Sequence, residues 1–204
     1  MSKLVLDVGC GNSFPDTVLQ FFPNSETIGI DIKKGKVTLV ADGQYLPFRH
    51  SIFDGILCSH VLEHMIDDSK GLNEIFRVLK IQGIFSLVVP NDDCHRQIIL
   101  RFLTDILKKP NLQNQPIRNL LYHTDRGHYR EYKWNEIVAL VSKTGFKIVS
   151  IRFYGILFSV LLYAIFSKKI RQKLDRVKAG KYSHHIEIQA MKSRISVEME
   201  KQKI

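Results

Sequence analysis

Acids set in and after a glycine turn carry the chemistry in the first half of this chain. Asp7-Val8-Gly9-Cys10-Gly11 puts a carboxylate inside a Gly-x-Gly turn. Gly9 permits a tight turn, and Gly11 lets a ligand approach the backbone closely. A pyrophosphate is not accommodated beside a carboxylate, whereas a ligand with an amino group and a sulfonium is. A dinucleotide fingerprint needs a third glycine at position 14, where Phe14 stands. Asp31 lies 20 residues beyond Gly11 at the end of an apolar run. A carboxylate there can accept from both hydroxyls of an adenosine ribose. The proton-transfer candidates are His60, His64 and His128, with Tyr129 as an outside choice. Such a base contributes about 10²–10⁴-fold where the reacting atom carries a proton. Arg130 can hold a phosphate or carboxylate bidentately, or pair with Glu131 or another acid. No metal set is evident: Cys10, Cys58 and Cys94 lack ligand spacing, and His184-His185 fall on opposite faces of a strand.

These residues need strands to position them. The run Leu4 to Val8 reads as a buried parallel strand, and an amphipathic segment with Val18, Leu19, Phe21 and Phe22 follows the turn. Glu26–Ile32 predicts a second strand, Val37–Val40 a third and the run after Ser51 a fourth. Leu72, Ile75, Phe76, Val78 and Leu79 follow helical spacing, with Gly83 expected as the stop. Ile84–Val89 predicts a fifth strand. Ile98 to Leu107 reads as an amphipathic helix, and Pro110 to Pro116 as polar loop. A helix carrying Ile137, Val138, Leu140 and Val141, a turn at Gly145, a sixth strand over 147–153 and a seventh over His184–Met191 complete the pattern.

Four motifs stand in order across 60 residues: Asp7-x-Gly-x-Gly, Asp42-x-x-x-Leu-Pro-Phe, Phe53-Asp-x-Ile, and Leu62-Glu-His. Together they resemble the class I S-adenosylmethionine-dependent methyltransferases, and within them the ubiquinone-biosynthesis-like, type 11 subgroup. The resemblance implies a three-layer α/β/α sandwich around a seven-stranded, mostly parallel Rossmann-like sheet. The implied order is 3-2-1-4-5-7-6, with strand seven antiparallel. It implies S-adenosylmethionine as cofactor and S-adenosylhomocysteine as product. Asp7, Gly9 and Gly11 would cradle the methionine end, Asp31 the ribose and Asp42 the adenine amino group. Cys10, Ile32, Gly43, Gln44 and Ser59 would complete the contacts. Ser59, His60 and His64 would flank the transferred methyl, and residues 92–126 would face the substrate, with Tyr129 and Arg130 as substrate candidates. The pattern His128-x-Arg-Glu-Tyr looks like a subset associated with surface-glycan and lipid-linked sugar pathways. Two departures stand out: Lys80-Ile-Gln-Gly replaces the usual Lys-Pro-Gly-Gly, and no helix precedes the first strand.

At 204 residues with 45% apolar content, one domain over 1–192 and a tail over 193–204 are expected. Met1-Ser2-Lys3 leads directly into a strand without a secretory leader, and the cysteines are odd in number, so a cytoplasmic protein with reduced thiols is expected. Net charge is +10, concentrated after position 167. That charge suits an anionic membrane, an anionic substrate or nucleic acid. The apolar run 154–166 is too short to span a bilayer, which takes about 20 residues. Within the insertion 154–183, the stretch 154–181 is open to three readings: peripheral membrane contact, a cover for the substrate pocket, or a homodimer interface. A small-molecule or lipid-linked acceptor is favoured over RNA, because no platform of interleaved aromatic and basic residues is evident. The rivals are a non-catalytic scaffold of the same fold and a nicotinamide-dependent dehydrogenase. The intact acids oppose the first, and Phe14 with Asp7 opposes the second.

Overall fold

A computed structural model describes residues 2–92, 129–154 and 185–193. Seven strands form one sheet: β1 (Lys3–Val8), β2 (Ser25–Asp31), β3 (Leu39–Val40), β4 (Phe53–Ser59), β5 (Leu79–Pro90), β6 (Phe146–Tyr154) and β7 (His185–Lys192). Three α-helices accompany them in the described residues: α1 (Asp16–Phe21), α2 (Asp68–Val78) and α3 (Trp134–Lys143). The order across the sheet is β3-β2-β1-β4-β5-β7-β6. The first five strands are parallel, and β7 runs antiparallel between β5 and β6. The expected topology is therefore the observed one.

Side-chain alternation divides the core between the two faces of the sheet. Val5 and Leu57 meet Val18 of α1, with Phe14, Phe21 and Phe22 around them. Leu6, Val8, Ile56 and Cys58 point the other way, into a larger cluster shared with Leu72, Ile75 and Phe76 of α2 and Ile137 and Val141 of α3. Phe146, at the start of β6, lies 5.0 Å from both Phe76 and Phe85. These strands are buried on both faces, which is why their sequences are nearly continuous apolar runs.

Three local expectations are corrected. Gly83 does not stop the second helix. That helix ends at Val78, Leu79 already has extended dihedrals, and β5 begins there. Leu79 pairs with Phe53 but Ile84 pairs with Gly55, so residues 80–83 are accommodated as an irregularity in β5, with Gln82 at φ 66°. The third strand shrinks to Leu39–Val40, both exposed at the sheet edge. A 3-10 turn over Gly11–Ser13 also separates the glycine turn from α1. The expected helix over Ile98 to Leu107, the 92–126 region beyond Asp92, the 154–183 insertion beyond Tyr154 and the tail beyond Ser193 lie outside the described residues. Among the described residues, no helix is long and apolar enough to cross a membrane.

Lys192 locks β7 to the end of α2. Its buried ammonium donates to the carbonyls of Phe76 (2.7 Å), in the last turn of α2, and of Leu79 (3.0 Å), just past its end. Lys192→Met keeps the stem but leaves these carbonyls buried without their cation, so it is expected to lower unfolding stability by about 1–3 kcal/mol. Urea denaturation, with the midpoint compared at unchanged slope, checks this.

Candidate functional site

The chemistry-bearing residues converge at the carboxyl ends of β1, β2 and β4. Strand order reverses between β1 and β4, and such a crevice is the usual ligand site of an open α/β sheet. The chain leaves β1 through Gly9, whose φ is 69°. Gly9 N and Cys10 N both donate to one carbonyl, that of Ile30, at 2.8 and 3.0 Å. A Cβ at Gly9 would lie 2.2 Å from Val61 Cγ2, so the loop after β4 packs directly on this turn. Gly11, at φ 57°, has nothing within 4 Å of where its Cβ would be. The first glycine is required by packing; the second faces open space.

Asp31 ends β2 and holds the turn from the other side. Its Oδ2 accepts from Gly11 N at 3.1 Å and its Oδ1 from Lys33 N at 2.8 Å. Each oxygen keeps a second lone pair for a donor such as a hydroxyl. Beside it Ile32 is 70% exposed, an apolar side chain offering a face to a flat ligand. Asp42 follows β3, where its Oδ1 accepts from Gln44 N and both oxygens accept from Gln44 Nε2. Gln44 Oε1 in turn accepts from Asp67 N at 2.8 Å, tying this loop to the start of α2. Gly43 is buried, and a Cβ there would meet Met65 Cε at 2.6 Å.

Asp7 is the electrostatic anomaly. It is 2% exposed, and its Oδ2 is buried with no hydrogen-bond partner. Burial first, and then the charge of Asp31, push its carboxyl up to about 7. A buried carboxylate oxygen without a partner calls for a donor or a cation. Burial, together with Asp7 and Asp31, pushes the neighbouring Cys10 thiol up to about 11, which keeps it protonated and unreactive. Cys58 is likewise raised by burial, then by Glu63 and Asp7.

Ser59 closes β4 and His60 follows in the left-handed region at φ 56°, its N–H donating to Val88 O at 2.9 Å. His64 is exposed on the 3-10 turn Leu62–His64. His128 lies outside the described residues. Tyr129 is exposed, and its N–H donates to Glu63 O at 2.9 Å. The Arg130 guanidinium is engaged within the protein: Nη1 meets Asp68 Oδ2 at 2.6 Å, and Nη2 donates to Ile66 O at 2.6 Å. Tyr132 OH donates to the same Asp68 Oδ2 at 2.9 Å. Burial raises the Asp68 carboxyl, but the Arg130 and Tyr132 hydrogen bonds outweigh it and hold it below its usual range. Of the two arrangements open to Arg130, the structure holds the ion pair with an acid. Glu63 carried no role in the sequence reading, although it stands inside the quoted Leu-Glu-His motif. It is 1% exposed and lies 3.5 Å from His60 Nδ1. No group of three or more potential metal ligands occurs among the described residues.

Residues 6–87 match the family described as "Methyltransferase domain". An uncharacterized protein of Methanocaldococcus jannaschii, MJ0638, is 40% identical over 99 residues, covering 44% of this chain and 42% of that protein. Where the chain matches the curated relatives, it spans about half their length: 62% for a second M. jannaschii protein, MJ1252, at 27% identity over 71% of this chain. Among solved structures, YcgJ of Bacillus subtilis superposes with a TM-score of 0.59 at 21% identity, covering 95% of this chain and 93% of that one.

Gly9→Ala combines a left-handed alanine, about 1–2 kcal/mol, with overpacking against Val61, about 1–3 kcal/mol. Gly11→Ala carries only the first of these. Urea titration is expected to show the larger loss at Gly9, partly restored by Val61→Ala.

Proposed function

We propose, from the match of residues 6–87 to the methyltransferase-domain family, that the chain is a class I S-adenosylmethionine-dependent methyltransferase acting on a small-molecule or lipid- or glycan-linked acceptor. The observation that carries the reading is the buried, partnerless Asp7 Oδ2 beside an open glycine turn. The residues present fit this cofactor on those grounds. Asp7 takes the amino group, and the Gly9–Gly11 turn lets the methionine end approach the backbone. Asp31 offers its remaining lone pairs to the ribose hydroxyls, Ile32 lies against the adenine, and the Asp42–Gln44 loop meets the adenine edge. The cofactor supplies a methyl group already activated on a sulfonium. What this chain adds is placement, and holding nucleophile and methyl in line is worth on the order of 7–11 kcal/mol.

The 1,6-didemethyltoxoflavin-N1-methyltransferase of Burkholderia thailandensis, solved with 1,6-didemethyltoxoflavin and S-adenosylhomocysteine bound, superposes with a TM-score of 0.57 at 16% identity, covering 94% of this chain and 72% of that one. That likeness is one of fold, so the ligand reading rests on Asp7, Asp31 and the glycine turn. The net charge of +10 supports an anionic or membrane-associated acceptor.

Calorimetric titration with S-adenosylmethionine tests the site. Asp31→Ala is expected to weaken binding more than tenfold; an unchanged dissociation constant sinks the ribose assignment. Asp7 adds a pH signature. Its carboxyl ordinarily titrates near 3.8 and does so at about 7 in the fold, so the ligand-free protein holds that proton more tightly than the unfolded chain. The stability this confers is complete below 3.8 and lost as pH rises through 7. Binding an ammonium needs the ionised form, so affinity is expected to rise roughly tenfold between about pH 5.5 and pH 7 as the carboxylate fraction grows. Asp7→Asn should weaken binding and flatten that profile; a flat profile in the unaltered chain contradicts the role.

A further inference from the structure

The loop after β4 holds a second buried carboxylate that the cofactor site does not use. Glu63 is 1% exposed, and neither carboxylate oxygen has a hydrogen-bond partner. The His60 Nδ1 lies 3.5 Å from its Oε1. That is longer than a good N–H···O bond, so the contact is a loose one that can tighten. The position of His60 is fixed on three sides. Its backbone is in the left-handed region and is tied to Val88 O, one edge of the ring faces Glu63, and the ring packs against His185 with centroids 5.0 Å apart at 85°. Tyr154 continues the row, 5.1 Å from His185. A non-glycine residue held in that backbone region, with an imidazole edge against a buried acid, is the kind of local strain that collects at reacting centres.

We infer that Glu63 is a positioning residue that holds His60 as its Nδ1–H tautomer, leaving Nε2 as the base for a methyl acceptor whose reacting atom carries a proton. The inference rests on the methyltransferase reading above and narrows it to a hydroxyl or acidic-carbon acceptor. With a hydroxyl, the acceptor oxygen gives its proton to His60 Nε2 and its lone pair to the methyl carbon. The electrons of the broken carbon–sulfur bond stay on sulfur, leaving a neutral thioether. The positive charge thus passes from sulfur to the imidazole, next to the Glu63 carboxylate. The other candidates in this row are less suited. Burial raises the Tyr154 hydroxyl, with Glu187 adding to it, and the Nδ1 of His185 is buried. His64, although in the same motif, is exposed on the 3-10 turn.

The test is long-range proton–nitrogen NMR on full-length protein with nitrogen-15-labelled histidine, at a pH where imidazole is neutral. The His60 signals are assigned by their loss in His60→Gln. The expected result is a proton on Nδ1 and none on Nε2, reverting to the Nε2–H form in Glu63→Leu and retained in Glu63→Gln, whose side-chain oxygen still accepts. A wild-type Nε2–H tautomer, or an Nδ1–H tautomer that persists in Glu63→Leu, overturns the inference. If neither variant folds, the wild-type tautomer alone decides. S-adenosylhomocysteine titrated into the same samples separates the two claims. Absence of binding to the unaltered chain sinks the methyltransferase reading, whereas the tautomer reports on Glu63 regardless of it.

Discussion

One carbonyl organises the site. The oxygen of Ile30 accepts from both Gly9 N and Cys10 N, pinning the turn after β1 to the end of β2. Both donations require the chain to pass through a left-handed residue with no side chain, because Val61 occupies the space a Cβ would take. From this follow the depth of Asp7, the reach of Asp31 to Gly11 N, and the approach of the β4 loop to the turn. Three loops from adjacent strands thus meet at one glycine. A shift in any of them displaces Asp7, Asp31 or His60.

The surrounding elements hold those loops rather than act. Glu74 on α2 accepts from Leu46 N, while Arg77 one turn later donates to the carbonyls of Leu46 and Phe48, and the two side chains pair at 2.6 Å. The Leu-Pro-Phe segment is therefore stitched to a helix, and Phe48 packs edge-on against Phe53 at 5.0 Å. The bond to Arg77 holds the Glu74 carboxyl low, against the opposing effect of burial. Arg130, Tyr132 and Asp68 do the same for the segment returning after β5. Arg130 looks functional in sequence, yet its donors are spent on the Ile66 carbonyl and on Asp68.

Strands were legible in the sequence because doubly buried parallel strands leave continuous apolar runs, and the glycine turn because its backbone needs are chemical. What was not legible depended on distant partners. Gly83 looks like a helix stop, but Leu79 pairs with Phe53 in the sheet and α2 already ends at Val78. Leu39 and Val40 carry strand-like residues on an edge too exposed to extend pairing. Arg130 reads equally well as an anion clamp or an ion-pair partner, and only the fold brings Asp68 to it. Glu63 could not be distinguished from a surface acid on a helical turn until its burial and the facing His60 edge were known.

Buried carboxylate oxygens without hydrogen bonds are expensive, and a fold selected for stability alone would replace Asp7 and Glu63 with apolar residues. Both stand at the carboxyl ends of the two strands that flank the switch point, β1 and β4, and the charge of each reaches the buried Cys58 thiol between them. On the proposed reading, Asp7 faces an ammonium brought by a ligand and Glu63 the imidazolium formed when His60 takes a proton, and the desolvation of each acid diminishes as its cation arrives. The division of labour follows from burial and from the Gly9–Val61 contact that keeps the two loops together.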